Sequence, residues 1–515
     1  MGYESEIDSD APPPIQGTSH SSERLSADPD LRLPLSTETD WFSKRYLIAF
    51  LAFFGFANIY ALRVNLSVAI VVMTSNYTVE TPDGPKVIPA EFDWDRQTQG
   101  TILSSFFYGY ILTQVLGGWL ACQYGGVRLF GMGVLTTAAL TLLTPLAAKM
   151  HVYLLILVRI LEGMFEGVTY PAMLGVWARW APPCERSRLV MITLSGSYFG
   201  TVGAMAVSGA IAQHLNWASI FYILGMIALF WCFLWCFLIH ESPLTDPWVS
   251  EAEKRYILDS IGPSLKAKRL TVPWKGVLTS APFAAIVVAH FCENWGFYTM
   301  LTELPTFMSD RFHMKVMSGN MLAALPYLVM GIVVQCSGFL ADWLRSGGHL
   351  TTMQVRKMFT CAGFICQTIF LIAAAHSTSA LATILSLTIA VGFGGFAWSG
   401  FSVNLLDIAP QFASVLMGIS NTVATIPGLL SPLLTGYVTK DKMASEWKLV
   451  FYLSAAIYLV GAIVYGLLAS GKVQPWASVT GERVAILDDH SSSEDLLSVN
   501  SRDYHTTTAT ATAQE

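Results

Sequence analysis

The sequence predicts an all-α polytopic membrane protein whose twelve transmembrane helices form two six-helix bundles. Three observations carry that prediction. The 515 residues are 53% hydrophobic and only 13% charged, with a mean hydropathy of +0.49, too apolar for a soluble chain of this size. Apolar runs of about 20 residues recur along the chain, each long enough to cross a hydrocarbon core of roughly 30 Å. A longer charged stretch, Glu241 to Ser280, divides those runs six and six.

The same composition excludes other classes. The net charge of −6 owes much to acidic tails, so nothing argues for nucleic acid as a partner. The eight cysteines lie in or beside apolar segments and form no paired pattern, which predicts neither a disulfide framework nor a zinc site. No GxxxxGK[ST] phosphate loop, HExxH or GxSxG occurs. The reading is of a protein that is not an enzyme and takes no cofactor. Uphill work has to come from an ion gradient, in a protein whose solvent is a lipid bilayer.

In chain order, residues 1–43 read as a disordered tail without the apolar core of a cleavable signal peptide. The first span then acts as its own insertion signal. Lys44 and Arg45 precede that span, 46–73, and place the tail on the cytoplasmic side. Asn76-Tyr77-Thr78 follows as an N-glycosylation sequon in the first loop, with Asn76 the acceptor. The next spans are 98–122, 127–148, 151–177, 190–213 and 218–240, closing a first bundle at 44–240. Within the linker, 241–280, VSEAEKRYILDSI reads as a short amphipathic cytoplasmic helix. The second bundle, 281–471, holds spans 281–307, 318–342, 356–377, 380–404, 411–438 and 448–470. A second polar tail, 472–515, ends the chain on the cytoplasmic side. Gly118-Trp-Leu-Ala121 after the second span is echoed by Gly338-Phe-Leu-Ala341 after the eighth. A duplicated six-helix unit predicts that echo, with substrate held midway across the bilayer.

Ionisable residues inside the spans mark the candidate site. In LVRILEGMFEGVTYPAM, Arg159, Glu162 and Glu166 fall within roughly a 60° arc of one helix. Facing lipid, each would cost about 2.5 to 3.5 kcal/mol, so the arc faces protein or a water-filled cavity. Either a structural ion-pair cluster or a polar path fits. Arg63, with Tyr60 on the same face, is the candidate anion clamp, because a guanidinium stays charged and holds a carboxylate through two parallel bonds. Glu162 and Glu166 are candidate proton-coupling acids, with Arg159 ranked below them as a partner of Glu162. Gly163 and Gly167 let another helix approach closely. The seventh span adds His290, Glu293 and Asn294, with Glu303 near the interface. Asp407, ahead of Pro410, reads as a cap or loop charge, and Pro427 and Pro432 as kinks.

The runs YALRVNLSVAIV, SSFFYGYILTQVLGGWL, LEGMFEGVTYPAM, WAPPCERSRL and LDIAPQFASVLMGISNT resemble the sialin, vesicular glutamate transporter and sodium-phosphate cotransporter family of the major facilitator superfamily. The resemblance covers roughly residues 43 to 478. It implies a major facilitator fold and transport of anions. Arg63 matches the family's first-helix arginine, Glu162 and Glu166 match a fourth-helix pair found in sialin, and His290 matches a seventh-helix histidine. Leu103 stands where vesicular glutamate transporters have histidine, and Glu293 where they have arginine and sialin has tyrosine. Leu174 replaces a sialin histidine. Loss of a second cationic clamp weighs against vesicular glutamate transport, and the added acid against sialic acid itself. The expectation is proton-coupled symport of an organic anion by alternating access, in a lysosomal or vesicular membrane. Sodium-driven phosphate uptake at the plasma membrane is the alternative, and a non-transporting receptor the third reading.

Overall fold

The computed structural model describes residues 43–74, 77–81, 84–261, 271–312, 316–440 and 443–477. The two tails fall almost wholly outside the described residues, as does Asn76 of the sequon.

The first half runs α1 (Lys44–Thr74), a hairpin of β1 (Tyr77–Thr81) and β2 (Gly84–Ile88), α2 (Arg96–Tyr124), α3 (Gly126–Met150), α4 (Val152–Glu166), α5 (Thr169–Trp180), α6 (Arg186–His214) and α7 (Trp217–Leu238). The linker holds α8 (Glu251–Ile261) and α9 (Trp274–Leu278). The second half runs α10 (Ala281–Phe312), α11 (Val316–Ser346), α12 (Thr352–His376), α13 (Ala380–Ile408), α14 (Ala413–Val438) and α15 (Ala444–Leu468). The strands pair antiparallel, Tyr77 opposite Ile88 and Thr81 opposite Gly84. Sequence reading gave a loop there, because two five-residue strands in a polar stretch carry too little periodicity to register.

Nine described helical stretches are long and apolar enough to cross a membrane by length and composition. The other three predicted spans fall on α2, α10 and the α4–α5 pair. Helices α2 and α10 have 29 and 32 residues, but Ser, Tyr and Gln dilute the first and His290, Glu293 and Asn294 the second. The predicted fourth span, 151–177, is broken at Gly167 and Val168. Pro171 has no N–H to offer the Gly167 carbonyl. The hydroxyls of Thr113 and Thr169 meanwhile donate to the carbonyls of Met164 and Glu166, each at 2.7 Å.

Within the first half α1 packs on α6 and α7, and α4 on α2 and α3; within the second, α10 packs on α14 and α15, and α13 on α11 and α12. Between halves, α6 lies against α11 and α2 against α14. The repeated glycines sit at those two seams. A Cβ on Gly118 would lie 2.4 Å from the Ser414 carbonyl oxygen, and one on Gly338 only 2.7 Å from the Met191 side chain. The sequence echo therefore marks a close approach of the two bundles at each seam.

At the end of the molecule that carries the linker, carboxylates cap three helix N-termini, where unpaired N–H groups and the helix dipole favour negative charge. Glu253 of α8 accepts from the backbone N–H of Lys44 and Arg45 at 2.8 and 3.1 Å. Glu241 does the same for Val127 and Arg128, and Asp342 for Ser187 and Arg188.

Candidate functional site

Helix α4 can carry an acidic stripe because α2 and α3 cover it. A Cβ on Gly163 would stand 2.0 Å from the Phe106 carbonyl oxygen, and one on Gly109 only 1.9 Å from that of Ile160. The two glycines thus bring the α2 and α4 backbones into contact, which turns Arg159, Glu162 and Glu166 inward, each buried. Arg63 of α1 pairs with Glu166 through Nε, at 2.7 Å, and through Nη2. The guanidinium lies against the rings of Tyr60, Phe106 and Tyr110, at 4.5 to 4.9 Å from their centroids. Tyr60 shares a hydroxyl hydrogen bond of 2.9 Å with Tyr170. Arg159 holds Glu162 at 2.5 Å, and the other Glu162 oxygen accepts from Thr141 and Thr144.

The two pairs differ in one respect. Glu162 is bonded at both oxygens, whereas Glu166 has one oxygen buried without a partner among the described residues. A half-satisfied buried carboxylate depends heavily on its single cation.

The residues from the seventh span lie elsewhere. His290 shares a 2.7 Å hydrogen bond with Ser420 of α14 and packs against Trp398 and Phe401. Asn294 donates to the Ala424 carbonyl at 2.8 Å. Glu293 turns instead to Gln367 of α12, at 2.9 Å. Among the described residues none of the three touches the Arg63 group. The second half reaches that group through Asn421, whose amide donates to the Tyr110 hydroxyl at 3.1 Å, and Tyr298, whose ring meets Phe107. Sequence reasoning singled out neither Tyr110 nor Asn421. The available signal was a polar pair one turn apart on each of two facing helices: Tyr110 and Gln114 on α2, Asn421 and Thr425 on α14. Gln114 donates to Thr425 at 3.0 Å.

The halves are locked at the linker end. Asp407 takes Arg356 at 2.7 Å and Arg186 at 3.3 Å, all three buried. Arg356 also donates to Ser187, and Arg345 to the Pro183 carbonyl. Asp407 is therefore the anion of an inter-half cluster, a correction to its reading as a cap or loop charge; 220 residues separate it from Arg186, too far for spacing to reveal. Toward the hairpin end, Gly100 of α2, Gly203 and Gly209 of α6 and Gly436 of α14 have no atom within 4 Å of an added Cβ. The state is one closed at the linker end.

Residues 45–432 match the Major Facilitator Superfamily. Human sialin is 46% identical over 451 residues, covering 84% of this chain and 91% of sialin. Bovine vesicular glutamate transporter 1 is 43% identical over 438 residues, covering 84% of this chain and 78% of that protein. Among solved structures, the proton:xylose symporter XylE aligns with a TM-score of 0.63 at 14% identity, over 83% of this chain and 97% of its own. The human organic anion transporter MFSD10 aligns at 0.61 and 11%, over 82% and 99%. At such identities these two speak for the fold alone. The chain is a multi-pass membrane protein that belongs to the sialin and vesicular glutamate transporter family of secondary anion transporters, with the twelve-helix, two-bundle fold of the major facilitator superfamily.

Proposed function

We propose that this protein is a proton-coupled symporter that moves a small organic anion, of acidic-sugar or acidic-amino-acid type, out of an acidic lysosome or vesicle. One observation carries the reading: a buried Arg63–Glu166 pair in which the acid has a vacant oxygen and the base is collared by aromatic rings. In the closed-linker state the hairpin end faces the acidic lumen. A luminal proton binds Glu166 and cancels its charge, so Arg63 loses its internal partner. The substrate carboxylate takes the N–H donors of Nε and Nη2 that Glu166 has released, and its two oxygens can accept them in parallel. Acid and anion are then both neutralised, and the Asp407 cluster parts to open the linker end. On the neutral cytosolic side the substrate leaves, Glu166 gives up its proton, and the internal pair re-forms.

The test is uptake of labelled sialic acid, glucuronate, glutamate and aspartate into proteoliposomes under a pH step. Arg63→Ala is expected to lower uptake about 10- to 100-fold, the loss of a charged hydrogen-bonding partner worth roughly 1.5 to 3 kcal/mol. Glu166→Gln should abolish the response to the pH step and spare substrate exchange between equal compartments. Unaltered proton-driven uptake in either variant removes the mechanism. Replacing sodium by choline with the pH step held constant isolates the phosphate alternative, which requires uptake to collapse.

A further inference from the structure

We infer that Glu293 is a second proton carrier, housed in the other half of the molecule, and that it makes transport of a monoanion electrogenic. The inference rests on the proton-coupled reading above but concerns a different acid. Glu293 lies about 140° round α10 from Tyr298, the residue that looks across to α2. Its carboxyl points into the second bundle. One oxygen accepts from Gln367 at 2.9 Å, and the other faces Gly394, where an added Cβ would lie 2.3 Å away. Gly394 is thus the residue that makes room for the acid. Glu293 and Gln367 are each 1% exposed.

Among the described residues no counter-ion meets it. Helix α12 presents Gln367, α13 presents Gly394, and α11 presents Met330 against that same glycine. The titratable groups near its charge are Tyr198 of α6, Tyr458 of α15 and Cys292 beside it on α10. His290, one turn earlier, is directed at Ser420. Among the described residues no lysine or arginine pairs with it, and a carboxylate buried without a cation does not stay ionised. In this state Glu293 therefore holds a proton on the oxygen that faces Gly394.

The route for losing that proton lies along the α6–α11 seam. Tyr198 packs against Phe297 of α10 and covers Gly331 of α11. Opening the linker end separates α6 from α11 and uncovers the flank of α10 that carries Phe297 and Glu293. Water then reaches the acid and takes its proton to the linker side, and a luminal proton replaces it on return to the state open at the hairpin end. Unlike Glu166, Glu293 has no arginine whose charge a substrate can replace. Its proton is added to the one that balances the anion, so each cycle carries two protons and one monoanion, a net single positive charge.

The experiment measures protons and labelled substrate together in proteoliposomes whose membrane potential is set with potassium and valinomycin. The wild type should move two protons per anion and respond to the imposed potential. Glu293→Gln, which keeps the hydrogen-bonding shape, should move one proton per anion, lose the response to potential and retain uptake driven by the pH step. A ratio of one in the wild type overturns the inference with the Glu166 mechanism intact, and that measurement does not depend on how the variant folds. An unchanged ratio in Glu293→Gln also overturns it. No proton movement in the wild type overturns both.

Discussion

The Arg159 guanidinium reaches the Arg63 carbonyl at 3.4 Å, yet the acids that these two arginines hold are equipped for different work. Glu162 is held by Arg159, Thr141 and Thr144 and has no spare oxygen. We expect Glu162→Gln to cost roughly 3 to 5 kcal/mol of stability, as when a buried pair loses one member, read as a lower unfolding temperature in detergent. Its response to the pH step should persist. Glu166→Gln should instead abolish that response. The variants differ by four positions on one helix, so a shared phenotype would show that the stripe works as one unit. Sequence reading found these four charged residues because an ionisable group in an apolar run is conspicuous. Arg159 as the partner of Glu162 was legible from their spacing on one helix, but Glu166 as the partner of Arg63 was not, since it depends on how α1 and α4 are rotated against each other.

At the scale of the element, the α2–α4 crossing is the tightest contact around the site. Gly163→Val puts a branched side chain where even a Cβ meets the Phe106 carbonyl oxygen. The expected loss is roughly 1 to 3 kcal/mol by overpacking, read as a lower unfolding temperature together with weaker substrate binding, because α4 carries Glu166. Val at Gly100, which faces open space, is the control and should change neither. Sequence reading recognised Gly163 and Gly167 as a close-packing pair without identifying α2 as the partner. It also ran the fourth span straight through, although Gly167 and Pro171 held the signal for the break. The break ends α4 at Glu166, which leaves that acid on the last turn of a helix, where neighbouring backbone can adjust as it changes partner.

Across the whole molecule, the state is set by seams between halves that share little sequence proximity. Twelve spans, the division at the linker and the two glycine echoes were visible in one dimension because length, hydropathy and repetition are one-dimensional properties. The Arg186–Asp407–Arg356 cluster was not, because it joins residues far apart in the chain. Asp407→Asn leaves two buried guanidinium groups short of their anion. The population should move toward an open linker end. In a background where the other cysteines are replaced, Cys122, half-buried against the Gln411 carbonyl, should then react severalfold faster with a membrane-impermeant thiol reagent added on the linker side. Unchanged labelling would mean that the cluster does not hold the seam.

The glycine crossing has a mechanical consequence. Because α2 and α4 touch backbone to backbone, they cannot slide independently, and together they behave as one rigid strut. The strut bears Glu166 on α4, and on α2 it bears Tyr110, whose ring also lies against Arg63, and Gln114, both of which bond to α14. A change of partner at Glu166 is therefore coupled through two touching backbones to the hydrogen bonds that hold the opposite bundle.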